Sequence, residues 1–302
     1  MLGVKLCNIK LENPTILASG FLGISKESLV RVANSGAGAL TIKSVSKEER
    51  IGHNNPTVIT FEAGMMNAVG YSNAGLKESK KEFSNLKEIK VPVIASIIGT
   101  TKDDFSYMAK NFLSNEFAAV EIPLSCPHTP GFGVLAGQST PEATYEITKA
   151  VKRNTKLPVI VKLSPNSQAI GDVARAAEKA GADAINMGNT HGPGMVINIE
   201  TKKPVLDFKV GGLSGPAVRP VTVRCVYDIY ESVKIPIIGT GGVMYGKDAI
   251  EMLMAGATAL GIGTAIYYRG YGVFKEICNE ITSWMKKNKY KSVKELVGLA
   301  HK

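Results

Sequence analysis

Apolar residues in this chain fall mostly into short unbroken runs rather than into strict alternation. Eight runs rich in Val, Ile, Leu and Ala stand out: Pro14–Ser19, Ala39–Lys43, Val91–Ile97, Ala118–Leu124, Pro158–Leu163, Ala182–Met187, Ile235–Gly239 and Ala259–Gly263. Runs of this length and content fit parallel strands buried on both faces. Between them lie segments with helical spacing, among them Lys26–Asn34, Pro141–Asn154, Ile170–Ala180, Val218–Val233, Lys247–Met254 and Gly272–Lys287. The alternation predicts an α/β fold. A doubly wound open sheet and a closed barrel share this pattern. A weak internal repeat favours the barrel: SGAGALTIK, AGADAINMG and AGATALGIG each follow a helix and lead into a strand. The expected architecture is a (β/α)8 TIM barrel spanning residues 1–302 as one domain.

Two stretches exceed the bare repeat. Residues 44–77 hold HNNP, a Met pair and NAVGYSNAG; residues 189–215 hold HGPGM, a hairpin-like NIETKKPVLD and GGLSG. Long ordered insertions in a barrel usually serve the ligand site, so both are expected as inserted loops at the C-terminal face.

Chemistry enters at the strand ends. The seventh run closes in GTGGV (239–243) and the eighth in GIGTA (261–265). In barrels the loops after strands seven and eight often bind phosphate, because glycine lets backbone N–H groups approach an anion closely. Two lysines, Lys43 and Lys162, end apolar runs. A lysine there is costly unless it meets an anion or snorkels to the rim. Cys126 leads a Pro- and Gly-rich loop, LSCPHTPGFG, with His128 two residues on; Cys7, Cys225 and Cys278 read as core residues. A thiol in a polar site can act as a base or nucleophile near neutral pH. Asn67, Asn73, Asn166, Asn186 and Asn189 could serve turns, or could meet a planar ligand carrying carbonyl and N–H groups.

Composition narrows the classes. Apolar residues make up 44% and charged residues 21%, an ordinary globular balance. The net charge of +10 comes from scattered lysines with no basic–aromatic module, so no nucleic-acid partner is expected. Four widely spaced cysteines without a CxxC argue against disulfides or a metal site and fit a reducing, cytoplasmic compartment. No apolar run reaches membrane-spanning length, so no membrane partner is expected. A non-redox barrel acting on a phosphorylated metabolite would share the two glycine loops.

The segments LENPTILASGFLG, TIKSVS, NAVGYSNAG, LSCPH, VIVKLSPN, INMGNT, NIETKKPVLDFKVGGLSGPAVRP, PIIGTGGV and GIGTAIYY together resemble dihydroorotate dehydrogenase of class 1. The resemblance runs through nearly the whole chain. The NIETKKPVL…GGLSGPA stretch and the spacing after Cys126 resemble most the catalytic subunit of the 1B branch. It implies FMN-dependent oxidation of dihydroorotate to orotate in pyrimidine biosynthesis. It also implies a homodimer, and a heterotetramer with a partner subunit that carries FAD and a [2Fe–2S] cluster and passes electrons to NAD⁺.

The resemblance assigns roles. Ala18, Ser19, Gly20 and Ser44 would lie along the FMN, with Lys43 between cofactor and substrate. Lys162 would meet the ring near N1, and Asn186 would also contact the cofactor. Gly215 would approach the ribityl chain, while Gly241, Gly242, Gly263 and Thr264 would cradle the phosphate. Asn67, Ala68, Val69, Gly70, Tyr71, His128, Asn189 and Thr190 would hold the substrate, with Cys126 the catalytic base. Two positions depart from the family, which usually has Asn where this chain has His128 and often has Asn where it has Pro123. Proline cannot donate a hydrogen bond. A dehydrogenase acting on another pyrimidine therefore stays open beside dihydroorotate.

Overall fold

The computed structural model describes residues 1–124, 139–167 and 169–302. Eight parallel strands close into a barrel: β1 (Thr15–Leu17), β2 (Ala39–Thr41), β3 (Val93–Ser96), β4 (Ala119–Pro123), β5 (Val159–Leu163), β6 (Ala184–Met187), β7 (Ile237–Thr240) and β8 (Ala259–Ile262). Each pairs with its neighbours in chain order, and β8 returns to β1. The open-sheet alternative is thereby excluded. The strands lie inside the eight apolar runs, except that β7 extends one residue past its run; seven of the eight are buried along their whole length, and β7 is buried except for that last residue, Thr240.

The outer layer consists of α1 (Lys26–Asn34), α2 (Gly75–Glu82), α3 (Lys102–Phe112), α4 (Pro141–Asn154), α5 (Ile170–Lys179), α6 (Arg219–Ser232), α7 (Gly246–Met254), α8 (Thr264–Arg269) and α9 (Val273–Lys287). Their starts are chemically marked. Ser25 and Thr101 cap α1 and α3 through capping boxes, and Thr140 with Pro141 opens α4. The longer helices turn an apolar stripe inward, as Ile147 and Val151 do on α4 and Phe274, Ile277 and Ile281 on α9. The repeated small-residue motifs end α1, α5 and α7. The glycine at the second position of each, Gly36, Gly181 and Gly256, has φ of 96°, 99° and 122°, the left-handed turn that swings the chain back into the sheet.

A hairpin that the run pattern does not mark, Val4–Leu6 with Ile9–Leu11, buries Val4, Leu6 and Leu11 against the core. The two long insertions form one structure. From the first come strands Val58–Phe61 and Gly64–Asn67; from the second, His191–Gly194 and Gly211–Ser214. They make a four-stranded antiparallel sheet in which Gly211–Ser214 pairs with Gly64–Asn67. A small separate core of Met66, Ala68 and Leu206, with Phe208 and Leu213, holds it together. The NIETKKPVLD segment contributes a short hairpin, Ile197–Asn198 with Lys203–Pro204. Among the described residues, no helix is long and apolar enough to cross a membrane.

Candidate active site

A cavity of about 410 Å³ opens at the C-terminal mouth of the barrel, under the four-stranded sheet. After β1 it is lined by Ala18, Ser19 and Gly20, and after β2 by Lys43 and Ser44. The first insertion supplies Asn67, Ala68, Val69, Gly70 and Tyr71. Lys162 comes from β5, Asn189 and Thr190 follow β6, and Gly215 ends the second insertion. Gly241 and Gly242 follow β7, and Gly263 and Thr264 follow β8. The chain thus brings most of the residues singled out in the sequence into one chamber. Cys126 and His128 lie outside the described residues.

The five asparagines divide by what they bond. Asn67 and Asn189 line the chamber. Asn73 is spent on its own loop, with its Oδ1 accepting from the Ser46 and Gly75 backbone N–H groups. Asn166 exchanges two hydrogen bonds with Gly192, bracing the second insertion. Asn186 is buried below the chamber, where its Nδ2 donates to Glu121 Oε2 (2.6 Å) and its Oδ1 accepts from Thr240 Oγ1 (2.7 Å).

Glu121 is a residue that the sequence pattern concealed. It sits in the middle of β4 (AVEIP) and is 1% exposed. Its Oε1 accepts from Ser19 Oγ (2.6 Å) and lies 3.7 Å from Lys162 Nζ. Lys162 Nζ in turn donates to Ser19 Oγ (2.9 Å). Register explains the meeting: β4 and β6 flank β5 and set Pro123 and Asn186 level with Lys162, with Glu121 two residues deeper than Pro123 on the same strand face. Pro123 is buried, and its ring forms wall rather than donor. A strand charge amid apolar neighbours was the available signal, the same one that marks Lys43 and Lys162.

Lys43, after β2, also lines the chamber and donates to Ser72 Oγ (3.3 Å). Burial holds its ammonium below the ordinary lysine range. That desolvation opposes folding while the group is charged. The penalty is complete below the depressed pKa and fades as pH rises through it towards the unfolded value. Lys43→Met is therefore expected to raise the melting temperature of the ligand-free chain by about 2–4 °C at neutral pH. The gain should shrink in alkaline buffer; an equal or lower melting temperature at neutral pH contradicts it.

His53 braces the first insertion. Its ring stacks on Phe208 with centroids 4.0 Å apart, its Nδ1 lies 3.0 Å from Ala68 O, and its backbone N–H donates to Val69 O. The stretch from Asn67 to Tyr71 is held against the chamber from behind. At the far end Arg219 is paired with Asp248 and Glu251, and Arg269 with Glu276 and Glu280. An anion by Gly241, Gly242 and Gly263 would therefore meet backbone N–H groups rather than free guanidinium.

The layout, a closed barrel with its chamber at the strand C-termini and lysines from β5 and from the end of β2 lining it, is that of a (β/α)8 barrel enzyme. The family profile of dihydroorotate dehydrogenase matches residues 1–285. Over its whole length the chain is 46% identical to the dihydroorotate dehydrogenase B (NAD(+)) catalytic subunit of Pyrococcus abyssi, covering 100% of both. It is 45% identical to the protein of the same name from Methanothermobacter thermautotrophicus, covering 100% of this chain and 99% of that relative. The solved structure of DHODH from Eimeria tenella in complex with ferulenol superposes with a TM-score of 0.83 at 22% identity, covering 100% of this chain and 89% of that one, and shares the fold. The chain belongs to the dihydroorotate dehydrogenase family.

Proposed function

We propose that this chain oxidises dihydroorotate to orotate with FMN as its resident cofactor. The observation that carries the reading is the union, in one chamber, of Lys162 on β5 and Lys43 just past β2 with a glycine-lined end. The chamber fits the cofactor. A Cβ built on Gly20 meets no atom within 4 Å, and one on Gly263 comes no nearer than 3.7 Å to another atom, so side chains there would fill the chamber itself. Ala18, Ser19, Gly20, Ser44 and Gly215 would hold the body of FMN, and Gly241, Gly242, Gly263 and Thr264 its phosphate. Asn186 acts on it indirectly, through Glu121 and Thr240.

When bound, FMN supplies a two-electron acceptor for the hydrogen that leaves C6 of the substrate. Cys126 takes the proton from C5 at its Sγ. Lys43, Asn67, Asn189 and Thr190, with the Ala68–Tyr71 backbone, orient the ring and its carboxylate. His128 adds a donor where the family usually has an amide. The relatives' names support electron delivery to NAD⁺ through a partner subunit. In this reading the partner carries FAD and a [2Fe–2S] cluster, the catalytic chains pair as a homodimer within a heterotetramer, and the whole 1–302 chain works as one unit in the cytoplasm.

The competing substrate is a pyrimidine without the carboxylate. Under anaerobic conditions dihydroorotate is expected to reduce the purified yellow protein at least 100-fold faster than dihydrouracil at equal concentration, about 2.8 kcal/mol of discrimination. Equal rates, or a preference for dihydrouracil, would assign the chamber to the carboxylate-free substrate.

A further inference from the structure

A buried carboxylate is a poor choice for stability. An apolar side chain of similar volume in its place is often neutral or stabilising. Yet Glu121 stands in a strand whose other members are Ala119, Val120, Ile122 and Pro123, and all five are buried. Its partners come from three other strands or their ends: Ser19 after β1, Lys162 on β5 and Asn186 on β6, with Thr240 on β7 reached through Asn186. Ser19, Lys162 and Thr240 also line the chamber. The direction of the bonds is determined by chemistry. The Lys162 ammonium can only donate, so the Ser19 hydroxyl accepts from it and gives its single hydrogen to Glu121. One Lys162 N–H goes to Ser19 and another can face Glu121 at 3.7 Å, which leaves the third for a ligand.

We propose that Glu121 is a positioning residue that tunes the cofactor through Lys162, anchoring the ammonium at the chamber floor and offsetting its charge. The inference rests on the reading that this chamber holds FMN with Lys162 at the pyrimidine edge of the ring. Reduction leaves negative charge at that edge, and a cation there favours it. With its carboxylate partner in place the cation is partly compensated, so Glu121 holds the flavin potential lower than Lys162 alone would set it. When Lys162 is removed, Glu121 keeps its hydrogen bonds from Ser19 and Asn186 but has no ammonium left to anchor or offset.

The test is a double-mutant cycle read by the flavin midpoint potential, with FMN content and melting temperature measured on every variant. Glu121→Gln keeps the shape: the Asn186 amide can turn over and Thr240 can reverse its hydroxyl to accept the new N–H pattern. In the native background this variant is expected to favour the reduced cofactor about tenfold, an upward shift of about 30 mV for a two-electron couple. Lys162→Met alone lowers the potential, and Glu121→Gln added to it changes nothing further. Glu121→Asp, a second variant that keeps the negative charge on the same strand, is expected to stay nearer the native potential than Glu121→Gln does. An equal shift in both backgrounds, an unshifted potential in a folded and yellow Glu121→Gln protein, or a Glu121→Asp shift as large as that of Glu121→Gln overturns the role of Glu121. A wild-type chain that binds no FMN, even when the cofactor is supplied, refutes the flavin reading itself and is recognised before any variant is made.

Discussion

Cys126→Ala is expected to leave a yellow, FMN-loaded protein whose reduction by dihydroorotate is slower by about 10²–10⁴-fold, the usual contribution of a positioned general base. Dihydroorotate affinity should change little, because a methyl group replaces a thiol that acts on one C–H bond. Rapid mixing under anaerobic conditions measures the reductive step apart from any later electron transfer. The other cysteines provide the contrast. Burial pushes Cys225 and Cys278 up to about 11 and Cys7 to about 12, with nearby Asp183 adding to the effect at Cys7. At neutral pH these three are thiols and cannot serve as bases. Cys225→Ala should therefore reduce at the native rate. A near-native rate in Cys126→Ala would remove that residue from the mechanism.

Gly242→Val is expected to purify colourless. Gly242 has φ of 75°, a region that costs an L residue about 1–2 kcal/mol and a β-branched one more. A Cβ there would lie 2.5 Å from Arg219 Cβ and 2.9 Å from both Arg219 Cα and Gly215 O. None of these is the far end of a flexible side chain. The β7 loop must shift, and it takes with it the N–H groups offered to the phosphate. FMN affinity should fall at least 100-fold, about 2.8 kcal/mol, as measured by fluorescence titration of the stripped protein. Because the loop lies at the surface of the barrel mouth, the apoprotein should still fold. A folded Gly242→Val protein with native FMN affinity would place the phosphate elsewhere.

The barrel was legible in the sequence because a parallel strand buried on both faces leaves an unbroken apolar run, and a tight helix-to-strand turn leaves a glycine. Gly36, Gly181 and Gly256 mark three such turns, all with positive φ. Lys43 and Lys162 could be singled out because a charge ending an apolar run needs a reason. Glu121 carries the same signal in the middle of a run, where a reading of periodicity passes over it. Its meaning depends on Ser19, 102 residues away, and Asn186, 65 away, and no local pattern encodes such a meeting. The pairing of Gly64–Asn67 with Gly211–Ser214 is equally non-local. Each insertion looked like a separate loop, although together they roof the chamber. The asparagines show the same limit. Asn67 and Asn189 face the chamber while Asn73, Asn166 and Asn186 serve the protein, and only three-dimensional neighbours distinguish them.

The most direct measurement is an anaerobic titration of the purified chain, without any partner subunit, by dihydroorotate. If this chamber joins FMN, Cys126 and the two lysines in one reaction, the visible flavin band bleaches in proportion to added substrate, and one orotate appears per FMN reduced. A yellow protein whose spectrum stays unchanged in excess dihydroorotate, yet bleaches with dithionite, would contradict the account.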